Sequence, residues 1–332
     1  MNIGKLVIYS GVYNEARFVS QMIESVLAQT YTNFDFVISD NHSTDGSTDI
    51  IKKYAARDSR IKVISPPAFL TSLYHGQYIV STLKNLEYQA ALYIGGHDII
   101  SPDYVMGMME CLAANPSCVI AYPKNAFEID ADNQILKQWG SSPQTIGVPQ
   151  PFKTLTTLLT LIHNIPLYGV WRYDVFNSQA ELPRCIGGDH FFVAKATLAG
   201  DIVEASQGQL YLRRVAGAED YKSYQEKHFG SQINIADDMM VQLRLLADIL
   251  GQACAGFPEV TYNATLASAT ALYIMRFSVL FQDEQQRQQF FSRPEISAAL
   301  GASVQAGALL KATLSQLKSP SVGAAETGHV PH

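Results

Sequence analysis

The stretch Val37-Ile38-Ser39-Asp40-Asn41-His42-Ser43-Thr44-Asp45-Gly46-Ser47-Thr48 passes from an apolar run into a cluster of turn residues. The residues that follow place Ile50, Ile51 and Tyr54 on one helical face, so we predict a strand, a polar loop and the start of a helix. In an open α/β sheet, ligands bind at the carboxyl ends of strands, where such loops gather. Asp40 leaves the strand there, and its carboxylate can accept hydrogen bonds from a ring N–H or a ribose hydroxyl. The alternative is an ordinary Asx or Ser turn.

Outward from this stretch, short apolar runs alternate with segments whose apolar residues recur at helical spacing. The apolar runs predict strands over residues 6–9, 34–39, 60–64, 90–94 and 119–122. This alternation predicts an α/β fold with a mostly parallel central sheet and right-handed crossovers. After residue 122 the order is less regular. It predicts a hairpin around residues 130–133 and a helix over 189–199 that is entered through Gly187-Gly188.

Three parts of the chain differ in pattern. We predict an α/β domain over residues 1–220, a helical C-terminal extension over 221–318, and a disordered tail over 319–332, which is rich in Pro, Gly and Ala. Within the extension, segment 262–280 is the most apolar, and Arg276 is its only charged residue. We expect this segment to pack on the α/β domain or on another copy of the chain, with contact to a membrane surface as the alternative.

The composition excludes several classes of protein. Of the 332 residues, 47% are apolar, which supports a substantial core; a net charge of −6 argues against a nucleic-acid-binding surface. The 4 cysteines are scattered, which predicts reduced thiols. Residues 1–10 lack a signal-peptide pattern, and no run reaches the roughly 20 apolar residues of a membrane-spanning helix. The expected location is therefore the cytoplasm, either free or at the inner face of the membrane.

Three motifs follow one another in the first fifty residues. They are Val12-Tyr13-Asn14-Glu15, Ser25-Val26-Leu27-Ala28-Gln29-Thr30-Tyr31 and Ser39-Asp40-Asn41-His42-Ser43-Thr44-Asp45-Gly46-Ser47. In this order and spacing they resemble glycosyltransferase family 2, whose members have the GT-A fold. The resemblance extends over about residues 5–215. It implies transfer of a sugar from a nucleotide-diphosphate donor to an acceptor hydroxyl, with inversion and with a divalent metal, Mn²⁺ or Mg²⁺.

The resemblance also implies which residues hold the donor. It places Tyr13 and Glu15 against the base and the ribose, and it places Asp40 on the base. Glu15 follows the end of a predicted strand, near the end of the strand that carries Asp40, which favours this interpretation. The alternative is that Glu15 is a first-turn acid that complements a helix dipole.

A metal-binding motif of the DXD type is expected after the fourth strand, where this chain has Gly96-His97-Asp98. Asp98 is the remaining carboxylate and is the predicted metal ligand, and His97 is predicted to join it or to contact the donor. The alternative is that the site has lost its metal and that Asp98 only caps the following helix. Arg213-Arg214 resembles a basic pair that reaches the diphosphate, although both could be ordinary surface cations.

The general base of the family follows a glycine-containing loop and opens a helix. Gly187-Gly188-Asp189-His190 fits that place, so Asp189 is the predicted base, although Gly188 stands where the family has a Glu. The alternative is that Asp189 is a plain N-cap. Trp171-Arg172 resembles the family segment that lines the acceptor pocket.

The expected function is an inverting glycosyltransferase of polysaccharide or glycoconjugate assembly, with a UDP-sugar as donor. The acceptor would be a saccharide, a lipid-linked molecule or a protein. A GT-A-like module that binds nucleotide sugars without catalysis is an alternative, suggested by the altered DXD and base motifs. A nucleotidyltransferase is a second alternative, but it needs a glycine-rich basic phosphate loop, and residues 9–17 offer only Gly11 and Arg17.

Overall fold

A computed structural model describes residues 4–84, 86–140, 144–160, 164–179, 182–214, 221–277, 281 and 283–300 of the chain. The predicted disordered tail, residues 319–332, lies outside the described residues. Strands and helices alternate through the first half, and helices fill the part beyond residue 220.

The elements have the following bounds. The strands are β1 (Leu6–Val12), β2 (Phe34–Asp40), β3 (Ile61–Ile64), β4 (Ala90–Tyr93), β5 (Ile99–Ile100), β6 (Cys118–Ile129), β7 (Ile135–Trp139), β8 (Val170–Arg172) and β9 (Asp201–Arg213). The helices are α1 (Val19–Leu27), α2 (Ser47–Ala55), α3 (Ser72–Leu83), α4 (Tyr104–Ala114), α5 (Phe152–Thr160), α6 (Tyr173–Ser178), α7 (Gly188–Ala196), α8 (Tyr221–Phe229), α9 (Ile235–Ala253), α10 (Glu259–Phe277), α11 (Glu284–Phe291) and α12 (Pro294–Ala299). A short 3₁₀ helix covers Ile165–Tyr168.

The described strands form one sheet in the order β3-β2-β1-β4-β8-β6-β9-β5, with β7 paired to β6. Strands β1 to β4 are parallel to one another, as predicted for the first half. The second half is mixed, because β8 runs antiparallel to both β4 and β6, and β7 and β5 are antiparallel to β6 and β9. The predicted hairpin accounts for the β6–β7 pair, since a tight turn can only reverse the chain.

The core of the first half forms around β1, whose residues Leu6, Val7 and Ile8 are fully buried. A continuous apolar run of this kind is typical of a strand that is covered on both faces. Helix α1 packs its apolar face on this core through Met22 and Ile23. The parallel strands therefore end together at one edge of the sheet, and the loops that follow them lie side by side there.

A second core joins the C-terminal helices to the first half of the chain. It contains residues of α9 and α10 together with Leu158 of α5 and Phe191 of α7. Helix α7 is buried on two sides, because Phe192 and Val193 belong to the core of the sheet while Phe191 and Ala194 belong to the second core. The predicted packing of the extension on the α/β part is thus observed.

None of the helices in the described part of the chain is both long enough and apolar enough to cross a membrane.

Candidate active site

The loops after β1 and β2 are joined by side-chain hydrogen bonds. The backbone N–H of Asn14 donates to Ser43 Oγ at 3.0 Å, and Asn14 Oδ1 accepts from the Thr44 N–H at 2.8 Å. The backbone N–H of Glu15 donates to Ser47 Oγ at 2.8 Å. Asn14 has a φ of 54°, a left-handed conformation that Asn tolerates better than most residues. These bonds explain why two motifs far apart in sequence form one surface at the carboxyl ends of the strands.

An exposed aromatic pair lies on this surface. Tyr13 is 45% exposed, and its ring centroid lies 4.9 Å from that of Phe69, which is 40% exposed. Asn41 holds the Phe69 segment in place, because its side chain both donates to the carbonyl of Leu70 and accepts from the Leu70 N–H. The sequence motifs indicated Tyr13 but not Phe69, which lies in a segment without a regular pattern.

Asp40 is buried at the end of β2. Its Oδ2 accepts a hydrogen bond from Thr48 Oγ1 at 2.7 Å, and its Oδ1 lies 3.4 Å from the Ser43 N–H. The Asx-type turn considered as an alternative is therefore present, and it fixes the orientation of the carboxylate. Contact of Asp40 with a base stays a prediction, since a capping carboxylate can accept a further hydrogen bond.

Glu15 is paired with His97 across the ends of β1 and β4. The imidazole Nδ1 donates to Glu15 Oε1 at 2.8 Å. Burial alone would lower the pKa of His97, but the bond to Glu15 and the nearby charge of Asp98 raise it above its ordinary value. The other ring nitrogen, Nε2, lies 4.0 Å from Asp98 Oδ1.

Asp98 is only 2% exposed, and burial raises its pKa. Its Oδ1 accepts from the Arg213 N–H at 2.9 Å. The other carboxylate oxygen lies against Gly95, where any Cβ would overlap it. The Asp98 carboxylate thus fills the space that a side chain would need at Gly95, the residue before the Gly96-His97-Asp98 motif.

Two side chains, those of Asp98 and His97, are placed so that they would bind a divalent cation. Asp98 Oδ1 lies 4.0 Å from His97 Nε2. The hydrogen bond from Nδ1 to Glu15 is the kind of contact that orients a metal-binding imidazole. In the described part of the chain, no group of three or more His, Cys, Asp or Glu side chains is arranged to hold a metal.

Arg213 and Arg214 differ from their predicted role at the diphosphate. The Arg213 guanidinium lies over the Phe18 ring and donates to Asn133 Oδ1 and to the carbonyl oxygens of Asp130 and His97. Arg214 is exposed and forms an ion pair with Glu128. Arg213 thus connects the hairpin turn to the His97 loop. Its guanidinium is used in these contacts, so it stabilises the site instead of extending toward a ligand.

Asp189 lies in the first turn of α7, as predicted. Its Oδ2 accepts a hydrogen bond from Asn164 Nδ2 at 2.7 Å. Asn164 immediately precedes the 3₁₀ helix and has a φ of 46°. Nothing in the spacing of the sequence connects these two residues, so Asn164 was not predicted.

Two tyrosines connect Asp189 with the donor side of the site. The rings of Tyr93, at the end of β4, and Tyr168 have centroids 5.4 Å apart. Burial raises the pKa of Tyr93, and the charges of Asp98, Glu15 and Asp189 raise it further. The same electrostatic influence of Asp98 and Asp189 acts on Tyr168. The hydrogen bond of Asp189 to Asn164 and the packing of Tyr168 on Tyr93 thus link the predicted base to the end of β4.

Trp171 and Arg172 do not line this surface. Trp171 is a core residue whose indole N–H donates to the Pro166 carbonyl at 3.1 Å. Arg172 pairs with Ala90 at the amino end of β4, the opposite edge of the sheet, and its guanidinium donates to the carbonyl oxygens of Cys118 and Leu112. The predicted acceptor contact of Arg172 is wrong because β8 runs antiparallel to β4, which carries this side chain away from Asp98.

The loop before Asp189 is fixed from two directions. Gly188 packs so closely on the Pro183 carbonyl oxygen that a Cβ at this position would overlap it. From the other side, the Ile186 N–H donates to Asp238 of α9, which also accepts from Gln242 Nε2 at 2.6 Å. A Glu at position 188, where the resemblance leads one to expect it, would overlap the Pro183 carbonyl oxygen.

Asp238 predicts a pH dependence of folding. Burial raises its pKa from 3.8 to about 6, so the folded chain binds this proton more tightly than the unfolded chain. The resulting stabilisation is fully present below pH ~4 and is lost as the pH rises through about 6, by about 3 kcal/mol in total. We expect Asp238→Asn to remove this dependence, and urea unfolding of both proteins between pH 4.5 and 7.5 checks it. An equal slope in the two proteins would contradict the assignment.

Comparison with known proteins agrees with the resemblance that the three motifs indicated. Residues 8–139 match the model of the family described as glycosyl transferase family 2. These residues are a glycosyl transferase family 2 domain. The match begins in β1 and ends in β7, so it includes the donor-side loops and stops before Asp189. The family predicted from the three motifs is thereby confirmed.

Relatives of the family 2 domain cover different shares of the chain. EpsE of Bacillus subtilis, a proposed glycosyltransferase, is 46% identical over 66 residues, which are 19% of this chain and 24% of EpsE. EpsH of the same organism, also a proposed glycosyltransferase, is 29% identical over 230 residues, 66% of this chain and 63% of EpsH. The chain thus spans about a quarter of EpsE and less than two thirds of EpsH.

The fold itself is similar to that of TarS from Staphylococcus aureus. The crystal structure of TarS residues 1–349 with UDP-GlcNAc superposes with a TM-score of 0.62 at 16% identity, over 94% of this chain and 92% of that one. At this identity the likeness shows the fold alone. It confirms the predicted GT-A type of α/β fold, including the helical C-terminal region.

Proposed function

We propose that this protein transfers a sugar from a nucleotide-diphosphate donor, with a UDP-sugar as the first choice, to an acceptor hydroxyl. One observation supports the proposal: Asp189 is hydrogen-bonded to Asn164, at the start of the 3₁₀ helix whose Tyr168 packs on Tyr93 at the carboxyl end of β4 in the family 2 domain. Ligands of α/β folds bind at the carboxyl ends of strands. The UDP-GlcNAc complex of TarS, which shares the fold, supports the choice of donor.

The nucleotide would bind on the surface after β1 and β2. The exposed rings of Tyr13 and Phe69 offer faces on which a base can stack, and stacking of this kind is worth about 1–3 kcal/mol per base. The adjacent Asp40 carboxylate would accept a hydrogen bond from a ring N–H. Glu15 and His97 then stand between the base side and Asp98, which is the direction in which the diphosphate would extend.

A divalent cation is part of the proposal. Asp98 and His97 would hold it, with the remaining ligands from the diphosphate and water. Such an ion, when bound, neutralises the charge that develops on the departing diphosphate. The protein itself contributes the orientation, because Glu15 fixes the imidazole and the Arg213 N–H fixes the Asp98 carboxylate.

Asp189 would act as the general base. A carboxylate that receives the proton of the acceptor hydroxyl makes that oxygen a better nucleophile toward the anomeric carbon. Attack from the side opposite the diphosphate in a single step inverts the anomeric configuration. The acceptor would be a saccharide, a lipid-linked molecule or a protein, in polysaccharide or glycoconjugate assembly.

Donor binding tests the proposal most directly. UDP-GlcNAc and UDP are expected to raise the melting temperature, because a ligand that binds only the folded state stabilises it. Tyr13→Ala is expected to weaken UDP binding by about 1–3 kcal/mol in calorimetry, the cost of a lost stacking contact. Phe257→Ala removes a similarly exposed ring in the C-terminal region and serves as the control.

The same titrations separate the proposal from its alternatives. Repeating them with and without Mn²⁺ reports whether a metal strengthens donor binding. Binding of UDP-GlcNAc without any release of UDP would favour a nucleotide-sugar-binding module that lacks catalysis. Equal affinity of the wild type and Tyr13→Ala would show that the base does not stack on this ring.

A further inference from the structure

Asn164 has two features that cost folding free energy. Its φ of 46° and ψ of 37° are left-handed, a conformation that is unfavourable for every residue except glycine, although Asn tolerates it better than most. Its Oδ1 is buried and has no hydrogen-bond partner within the part of the chain that the structure describes. Buried acceptors are nearly always paired, so an unpaired one calls for an explanation.

The other end of the same amide makes a hydrogen bond that can offset these costs. Asn164 Nδ2 donates to Asp189 Oδ2 at 2.7 Å, and Asn164 is only 4% exposed. An amide oxygen in that place would face a carboxylate, so the N–H group must point to Asp189 and the oxygen must point away. The left-handed backbone is thus the conformation in which this donor is aimed at the first turn of α7.

We propose that Asn164 is the positioning residue of Asp189, which rests on the proposed function of Asp189 as the base. The N–H of Asn164 holds Oδ2, and the carboxylate is thereby fixed with Oδ1 toward the acceptor hydroxyl. The short side chain of Asp189 has two rotatable bonds, and misplacement of a reacting group by about 1 Å can cost up to about 10²-fold in rate. The strain at Asn164 is the kind that persists at sites where the rest of the structure imposes it.

The test uses water as the acceptor, so that no natural acceptor is needed. The rate of UDP release from UDP-GlcNAc is measured for the full chain, together with the KM for the donor and the melting temperature. Asn164→Gly retains access to the left-handed conformation and removes the whole side chain. We expect kcat to fall by about 10- to 10²-fold with an unchanged KM and a melting temperature within a few degrees of wild type.

A double-mutant cycle distinguishes positioning from a general structural effect. Asn164→Gly is expected to cause no further loss when Asp189 is already Asn, because residues that act as a unit are not additive. Asn164→Asp, of the same shape, replaces the donor by a second carboxylate and is expected to lower kcat at least as much as Asn164→Gly.

Three results would overturn the inference. They are an unchanged kcat in Asn164→Gly, an equal loss in the Asp189→Asn background, and a loss that is accompanied by a weaker affinity for UDP. The proposed function fails in a different way, namely when the wild type neither binds UDP-GlcNAc nor releases UDP from it.

Discussion

Replacing Asp189 with asparagine is expected to lower sugar transfer by about 10²–10⁴-fold, the usual cost of removing a general base. The substitution keeps the shape of the side chain, and its amide oxygen can still accept the hydrogen bond from Asn164 Nδ2. The first turn of α7 and the Tyr93–Tyr168 pair should therefore stay in place. Affinity for UDP and the melting temperature should remain near those of the wild type.

Asp174→Asn is the matched control for this substitution. Asp174 also lies in the first turn of a helix, α6, but it is exposed and adjoins the amino end of β4. The same chemical change there should leave transfer unaffected. An undiminished rate in Asp189→Asn would place the base elsewhere. Product that retains the anomeric configuration of the donor would exclude a single displacement with any base.

Gly188→Ala is expected to have the second largest effect, on both stability and turnover. The added Cβ would overlap the Pro183 carbonyl oxygen, and a backbone atom cannot turn aside as a flexible side chain can. Overpacking of this kind costs about 1–3 kcal/mol or more. Because Asp189 is the next residue, the shift of the loop would also displace the carboxylate, and turnover should fall together with the urea unfolding midpoint.

Gly140→Ala is the control for the glycine substitution, because an added Cβ at Gly140 would meet no atom of the described residues within 4 Å. Neither glycine has a positive φ, so the two substitutions differ in steric contact rather than in backbone strain. Alanine also has the higher helix propensity, which would favour Gly188→Ala by up to about 1 kcal/mol. A variant with normal stability and turnover would therefore show that the loop moves freely, contrary to the packing described above.

Local patterns predicted the parts of the fold that depend on one segment or one crossover. The apolar run of β1 and the hairpin at residues 130–133 were predicted from sequence, because each has a local cause. Most of the long strand β9 was not predicted, since polar residues such as Gln207 and Gln209 interrupt its apolar run. A strand with one solvent-exposed face and an irregular register has no continuous apolar run in its sequence.

The same distinction between local and tertiary causes applies to the residues of the candidate site. Glu15, His97 and Asp98 were predicted as donor-side residues, and the structure brings them together because parallel strands end at one edge. Arg172 was misplaced because segment order does not reveal that β8 runs antiparallel. Asn164 was missed because its contact is made 25 residues along the chain and depends on tertiary packing alone.

The burial of α7 between two cores limits how this protein could be recombined with its relatives. A chimera joined near residue 220 would inherit Phe191 and Ala194 from one parent and the surface of α9 and α10 that must receive them from the other. Substitutions at this contact would affect the position of α7, whose first turn contains Asp189. A chimera should therefore fold normally only when α5, α7 and the C-terminal helices come from the same parent.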